Sequence, residues 1–300
     1  MAKSGRTVGR KEQKMENKTI MSFGAHHDDV ELRCGGTLAK YARQGWKVIY
    51  TVATTTPYYL PSQQDVREGR YPSNNEIIGI RKKEAEKGAG ILGASEVYFF
   101  DFRSLYWHEK KSRGLTYFDG ITNTCEDLAR IEKEIPGREY IVSACHSKKA
   151  VSFLMDFISK RNVDILLTHS ADDLHWEHYA VALFASCTCR QLEIKGKKIR
   201  LFHWENGNAG TITRSFSPTR FVDISETIDI KCRAVSVFKS QFANRDTSVF
   251  VDRTRRRAKE YGKLCGFEYA EAFMDGVTGK INEFELPVTY DASKTTKGLD

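Results

Sequence analysis

Nowhere in the 300 residues does an apolar run approach the roughly 18 to 20 residues that a membrane-spanning helix requires. The longest apolar runs are strand-sized, so no membrane span is expected. Residues 1–17 are basic and polar and lack the apolar core of an export signal, which predicts a flexible basic leader on a cytoplasmic protein. The seven cysteines, Cys34, Cys125, Cys145, Cys187, Cys189, Cys232 and Cys265, are odd in number and show no C-x-x-C spacing. Reduced thiols are the reading, not a disulfide framework. Cys187 and Cys189 lie two apart on an expected helix, point to different faces and make a poor metal pair. Two catalytic signatures are also missing. There is no H-E-x-x-H, which removes the helical zincin arrangement, and Gly35-Gly36 is not part of a G-x-G-x-x-G turn, which leaves a nucleotide-binding dehydrogenase without support.

What is present fits a globular chain. At 40% hydrophobic and 29% charged residues it can bury a full core, and a single α/β domain over 18–290 with a disordered tail over 291–300 is expected. The formal charge of +8 raises nucleic acid as a partner. Much of that excess, however, sits in the leader and in Arg253, Arg255, Arg256, Arg257, Lys259 and Lys263, on an expected surface helix. No helix-turn-helix, zinc-finger or RNP-type pattern organises it, so a solvated basic face is the reading and no specific nucleic acid is expected.

The chain opens with a strand over 18–25, a helix over 36–44 and a strand over 46–53, a βαβ unit that crosses over right-handed into a parallel sheet. Residues 54–75 form a long polar loop that holds Pro57, Pro61 and Pro72, half of the six prolines. A loop of that length at a strand's carboxyl end often serves as a lid or substrate wall. Asn75 can cap a helix over 76–92 with Ile77, Ile80, Ala85 and Ala89 inward, and a third strand follows over 96–102. Periodicity is weak from 103 to 147, with a helix expected near 126–135. An amphipathic helix over 148–161, a strand over 163–168, a polar loop over 169–174 and a helix to 192 repeat the layout of the opening. Strands over 197–205 and 220–224, an Asn-bearing loop over 206–210, and helices over 226–242 and 253–264 complete a Rossmann-like, mostly parallel sheet with helices on both faces.

The chemistry concentrates in two places. Ala25-His26-His27-Asp28-Asp29-Val30-Glu31, followed by Gly35-Gly36-Thr37-Leu38-Ala39, puts imidazole and carboxylate donors where a strand gives way to a helix. Open α/β sheets bind ligands at such ends, and these donors suit a zinc-type ion. His175-Trp176-Glu177-His178 puts two imidazoles three apart on the first turn of another helix. Alone it is a weak signal. Two such clusters at strand-to-helix junctions on one sheet edge are a much stronger one. Spacing does not distinguish Asp28 from Asp29.

These residues resemble the zinc-dependent N-acetylglucosaminyl deacetylases of the LmbE-like and PIG-L-like type. That family's opening motif is A-H-P-D-D-x-E with a G-G-T-L-A-type turn, and its second is D-x-H-P-D-H, matched here by Asp173-Leu174-His175-Trp176-Glu177-His178. Support comes from Arg81 and Glu84, Leu92-Gly93, Asp223-Ile224-Ser225 and the stretch 231–241, so the resemblance covers about 18–242. It implies that His26, Asp29 and His178 hold the zinc, or another divalent ion, and that Asp28 is the base. It implies for His175 an acid or oxyanion-stabilising role, and for the chain removal of an acetyl group from an N-acetylated amino sugar or its conjugate. The other class of reading is a catalytically silent metal-binding or anion-binding regulatory protein. A homo-oligomer is compatible with either.

Two departures stand out. His27 occupies the place of the motif's proline and is an alternative ligand; Trp176 and Glu177 replace proline and aspartate, with Glu177 keeping a carboxylate to tune His175. Asp172 and Asp173 orient His175 or only polarise the loop. For substrate, Arg81 is an anion or hydroxyl clamp or else pairs with Glu84, and Asp101 binds sugar hydroxyls or caps a turn. Tyr58, Tyr59, Tyr106 and Trp107 stack on a sugar ring or pack their loops down.

Overall fold

Alternate residues of the first strand enter different cores. In β1, Thr19–Gly24, Ile20 joins one apolar cluster and Met21 and Phe23 another, as the period-2 geometry of a strand buried on both faces requires. The structure, a computed structural model, describes residues 18–70, 72–104, 139–205, 216–242, 246–276 and 290–291. The leader, Tyr71, Tyr106, Trp107, the helix expected near 126–135 and the loop over 206–210 lie outside them.

The elements run β1, α1 (Asp29–Arg43), β2 (Lys47–Thr55), α2 (Gln63–Arg67), α3 (Asn74–Ile91), β3 (Glu96–Arg103), α4 (Ile141–Ala144), α5 (Lys148–Lys160), β4 (Ile165–His169), α6 (Trp176–Ile194), β5 (Arg200–Trp204), β6 (Arg220–Asp223), α7 (Ile228–Val235), a 3-10 turn (Lys239–Gln241), α8 (Ser248–Cys265), β7 (Ala270–Asp275) and β8 (Tyr290–Asp291). Among the described residues the strands form one sheet of order β3-β2-β1-β4-β5-β7-β6-β8. Pairing is parallel from β3 to β5 and antiparallel beyond. One face packs on α1, α3, α7 and α8 through Leu38, Ala89, Ile228 and Ala258; the other packs on α4, α5 and α6 through Ile141, Leu154 and Phe184. The expected α/β class and single sheet with helices on both faces are thus present, and no helix among the described residues is long and apolar enough to cross a membrane.

From β1 the chain winds outward to β2 and β3 on one side and later to β4 and β5 on the other, so the topological switch lies between β1 and β4. The carboxyl ends of these two strands deliver His26 and His169. An open α/β sheet leaves its ligand crevice there.

Several expectations need correction. α1 begins at Asp29, seven residues before the expected start at Gly36, and Gly35-Gly36 lie inside the helix and not at a turn into it. A Cβ on Gly36 would stand 2.7–2.9 Å from Ile224 atoms, so glycine there serves close packing. The long loop after β2 contains α2, closed by a reciprocal capping box between Ser62 and Asp65. Ser73, not Asn75, caps α3 through the same device with Glu76, and Ile80 is exposed at 36%. The helix expected over 226–242 is two pieces, α7 and the 3-10 turn. β7 and β8 had no strand reading at all, and Asp291, expected to start the tail, pairs with Arg220 in β8; residues 292–300 lie outside the described ones.

Candidate metal centre

Three donor atoms converge beyond the ends of β1 and β4. His26 Nδ1 lies 3.1 Å from His178 Nε2 and 3.4 Å from Asp29 Oδ2, and His178 Nε2 lies 3.4 Å from Asp29 Oδ1. A tetrahedral ion with donors at about 2.0–2.1 Å has ligand-to-ligand edges of about 3.3 Å. The His26–His178 edge is of that size, and each imidazole reaches one oxygen of the Asp29 carboxylate at 3.4 Å. Backbone placement explains it: His26 leaves the end of β1, Asp29 opens α1, and its Oδ2 accepts the His26 backbone N–H at 2.6 Å, locking the turn between them. His178 sits in the first turn of α6.

The outward nitrogens make the fit chemical as well as geometric. His26 Nε2 is 2.6 Å from Glu177 Oε2, and His178 Nδ1 is 2.8 Å from Asp173 Oδ2. Each outward nitrogen donates to a carboxylate, which in a neutral imidazole leaves a lone pair on the inward one. Two lone pairs 3.1 Å apart, with an ionised carboxylate beside them, call for a cation between them. A metal-ligating histidine has this outer arrangement.

The electrostatics agree. Burial alone would lower His26, but Asp29 and Glu177 outweigh it and raise it to about 9. Burial is likewise overcome at His178, which Asp29 and Asp173 raise to about 10. Burial would raise Asp29, yet His178, His169 and His26 hold it well below the usual carboxylate range. Positive charge is favoured at this point, whether proton or metal, and a metal must displace the protons to bind.

Two more imidazoles stand at the cluster. His175 stacks on His178 with ring centroids 4.2 Å apart; ring nitrogens of His26, His175 and His178 lie within 4.8 Å of one another, as do a carboxylate oxygen of Asp29 and ring nitrogens of His169 and His178. Burial, then the neighbouring His178 and His26, push His175 well below its ordinary value, so it is a neutral ring. His169 Nε2 lies 3.0 Å from the Ala25 N–H and 3.2 Å from Asp29 Oδ2; it accepts from the first or donates to the second, not both. The Trp204 indole N–H, a donor only, sits on Nδ1 at 3.2 Å and selects the second. Burial and His178 lower His169 to about 4. It is a neutral ring set against Asp29.

The remaining expected residues divide. Asp28 is partly exposed, with the guanidinium of Arg81 3.5 Å from its Oδ1. Arg81 is only 2% exposed, and Glu84 is occupied by the N–H and Oγ of Ser240 at 2.9 and 2.5 Å. Arg81 thus stands beside Asp28, and its charge also acts on Glu84. Asp101 pairs with Lys82 at 2.6 Å and adopts a positive φ of 58° at the β3 irregularity, apart from the histidine cluster. His27 is buried against Phe99, 5.6 Å between rings, with neither ring nitrogen hydrogen-bonded, and burial and Arg81 push it well down. It is not in the donor set. Tyr59 Oη donates to Asp65 at 3.1 Å, which favours the packing reading for that loop.

Sequence reasoning misses three contacts that matter. His169, the last residue of β4, was read only as the start of a loop; its signal was a histidine ending a buried strand on the same edge as β1. From sequence, Glu177 is expected to tune His175, and Asp173 to orient it or only to polarise the loop. Asp173 instead bonds the ring of His178 and the backbone N–H of His175 at 2.8 Å, and Glu177 bonds His26.

The profile described as "PIG-L: GlcNAc-PI de-N-acetylase" matches residues 21–189, a span that includes both motifs. A curated relative, the diacetylchitobiose deacetylase of Thermococcus kodakarensis, is 23% identical over 267 residues, 87% of this chain and 84% of its own. Among solved structures, the N,N'-diacetylchitobiose deacetylase from Pyrococcus horikoshii in complex with its inhibitor MPG superposes with a TM-score of 0.61 at 19% identity, covering 87% of this chain and 84% of that one. GalB, the 4-carboxy-2-hydroxymuconate hydratase from Pseudomonas putida KT2440, superposes at 0.57 and 20%, covering 89% and 99%. Those superpositions show a shared fold, and one fold carries unrelated chemistries. Because the profile spans more than half of the sequence, the chain belongs to the PIG-L family.

Proposed function

We propose that this protein is a zinc-dependent deacetylase that removes the acetyl group from an N-acetylated amino sugar or its conjugate. The observation that carries the reading is the triangle of His26, Asp29 and His178, whose 3.1–3.4 Å edges and outward carboxylate bonds suit one divalent ion with a coordination position left over. Such an ion, when bound, supplies Lewis acidity toward an amide carbonyl and lowers the pKa of water at its open position to about 7.

The protein's own groups do the rest. Asp28, the residue before Asp29 and at the N-cap of α1, takes the proton from the attacking water. Arg81 holds Asp28 in place from its buried side. A neutral His175, stacked on His178, donates a hydrogen bond to the carbonyl oxygen as charge develops there, and needs no positive charge to do so. Membership of a family described as a GlcNAc-PI de-N-acetylase, and likeness to deacetylases of diacetylchitobiose, support the choice of an N-acetyl sugar. Asp101, at the end of β3 and partly exposed, is a candidate for a sugar hydroxyl.

Acetate release measured over a panel of N-acetylglucosamine, diacetylchitobiose and N-acetylglucosaminyl conjugates tests the proposal. At least one should be hydrolysed, activity should vanish with a strong chelator, and zinc should restore it. Release that persists unchanged in chelator removes the metal. No release from any member by the zinc-loaded protein favours the silent metal-binding reading.

A further inference from the structure

The carboxylate of Glu177 is fully buried, and it does not spend its hydrogen bonds at random. Its Oε2 meets His26 Nε2 at 2.6 Å and accepts from the Oγ–H of Ser104 at 3.1 Å, with Ser104 itself fully buried at the end of β3. Three separate parts of the chain therefore meet at one oxygen: the end of β1, the end of β3 and the first turn of α6. Glu177 gives the outward nitrogen of the His26 ring a fixed acceptor, while the His26 backbone N–H is given to Asp29. An imidazole free to rotate about its Cβ–Cγ bond would not keep Nδ1 on the triangle. Asp173 does the same for His178 from within its own loop, but Glu177 must reach across from another element, for which a glutamate is one methylene longer than an aspartate.

We propose that Glu177 is a positioning residue of the metal centre: it fixes the ring orientation and tautomer of His26, with Ser104 aiming its carboxylate. This rests on the reading of His26, Asp29 and His178 as metal ligands. It differs from the role expected from sequence, in which Glu177 tunes His175. Partners of this kind change metal affinity by about 10- to 100-fold when removed.

The test is zinc affinity of the full-length protein, measured by competition with a chromophoric chelator, for wild type, Glu177→Gln, Glu177→Asp and Ser104→Ala. The melting temperature of each metal-free form is recorded alongside. Glu177→Gln should weaken zinc binding about 10- to 100-fold with little change in the metal-free melting temperature, because the amide keeps the volume and loses the acceptor strength. Glu177→Asp, too short to span the gap, should fail to rescue affinity. Ser104→Ala should weaken it less, in the same direction. Unchanged affinity in a folded Glu177→Gln protein overturns the proposal, as does an effect confined to the pH profile of turnover. Should Glu177→Gln fail to fold, Ser104→Ala decides: unchanged affinity there overturns it equally. A wild type that binds no zinc would sink the metal reading itself, whereas a wild type that binds and a variant that binds equally well sink only the role of Glu177.

Discussion

At its first residue α1 meets three histidine nitrogens through Asp29; seven and eight residues later it meets the carboxylate of Glu271. Both encounters bury charge under the same helix, and they differ in how the charge is closed. Glu271 accepts the N–H groups of Gly36 and Thr37 at 2.9 and 2.7 Å and is paired with the ammonium of Lys231, both side chains being less than 5% exposed. Thr227 Oγ donates to the Gly36 carbonyl at 2.9 Å. Acceptors meet donors, and nothing further is called for. Around Asp29 the inward nitrogens of two imidazoles and a carboxylate point at one position, and a cation, proton or metal, is needed to close the set. The lesson is that burial of charge does not mark a site. A converging set of like-natured atoms does, because only an added cation makes that arrangement favourable.

The comparison predicts that variants of the open cluster change chemistry and variants of the closed one change stability. The largest effect is expected for Asp28→Asn, which should cut acetate release by about 10²- to 10⁴-fold, the usual worth of a general base. Zinc content, read by metal analysis, should be that of wild type, and stability should fall by about 1 kcal/mol or less because Arg81 keeps a polar partner. A variant that deacetylates normally would take Asp28 out of the reaction. One that loses zinc would move it into the donor set.

The same contrast shows why one cluster was legible in the sequence and the other was not. Histidine and aspartate within four residues, at the close of an apolar run, announce both their chemistry and their place, and the second cluster on α6 does the same. The strand-to-helix order of the parallel half could be read because each βαβ unit is local. Glu271 lies 235 residues from Gly36, on a strand that had no reading, and its sequence surroundings show no motif. Gly35-Gly36 was therefore taken for a turn, the commonest use of paired glycines, when a contact from the far end of the chain had claimed it. Glu177 was misassigned for a related reason. Sequence spacing ties it to His175, two residues away, while the fold hands it to His26, 151 residues away.

Second in size is Glu271→Ala. Removing one member of a buried pair leaves Lys231 charged and uncompensated, and two helix amides lose their acceptor, so stability should fall by about 3–5 kcal/mol. Urea unfolding of the metal-free protein measures it. Zinc affinity of the fraction that folds should match wild type, since Glu271 touches none of the donor atoms. A loss of zinc affinity as large as that expected of Glu177→Gln would break the comparison by showing that the two ends of α1 act as one unit.

The smallest expected effect separates the two jobs that Glu271 performs. The double variant Lys231→Met, Glu271→Gln removes both charges together, and replacing a buried pair in full is far less harmful than breaking it. The glutamine oxygen can still accept from Gly36 or Thr37, but its amide nitrogen cannot accept from the other, so one N–H is left over. A single buried donor without a partner costs about 1–3 kcal/mol, and methionine recovers part of that by filling the space of the lysine stem with apolar contact. The net loss should be about 1–2 kcal/mol, clearly below that of Glu271→Ala, in the same urea measurement. If the double variant is as unstable as Glu271→Ala, the amide hydrogen bonds and not the ion pair hold α1 at its glycines. If it is as stable as wild type, neither does, and packing of Gly36 on Ile224 carries the contact. No equivalent swap exists at the other end of the helix, where replacing His26 and Glu177 together would leave Asp29 and His178 facing one another with a ligand gone.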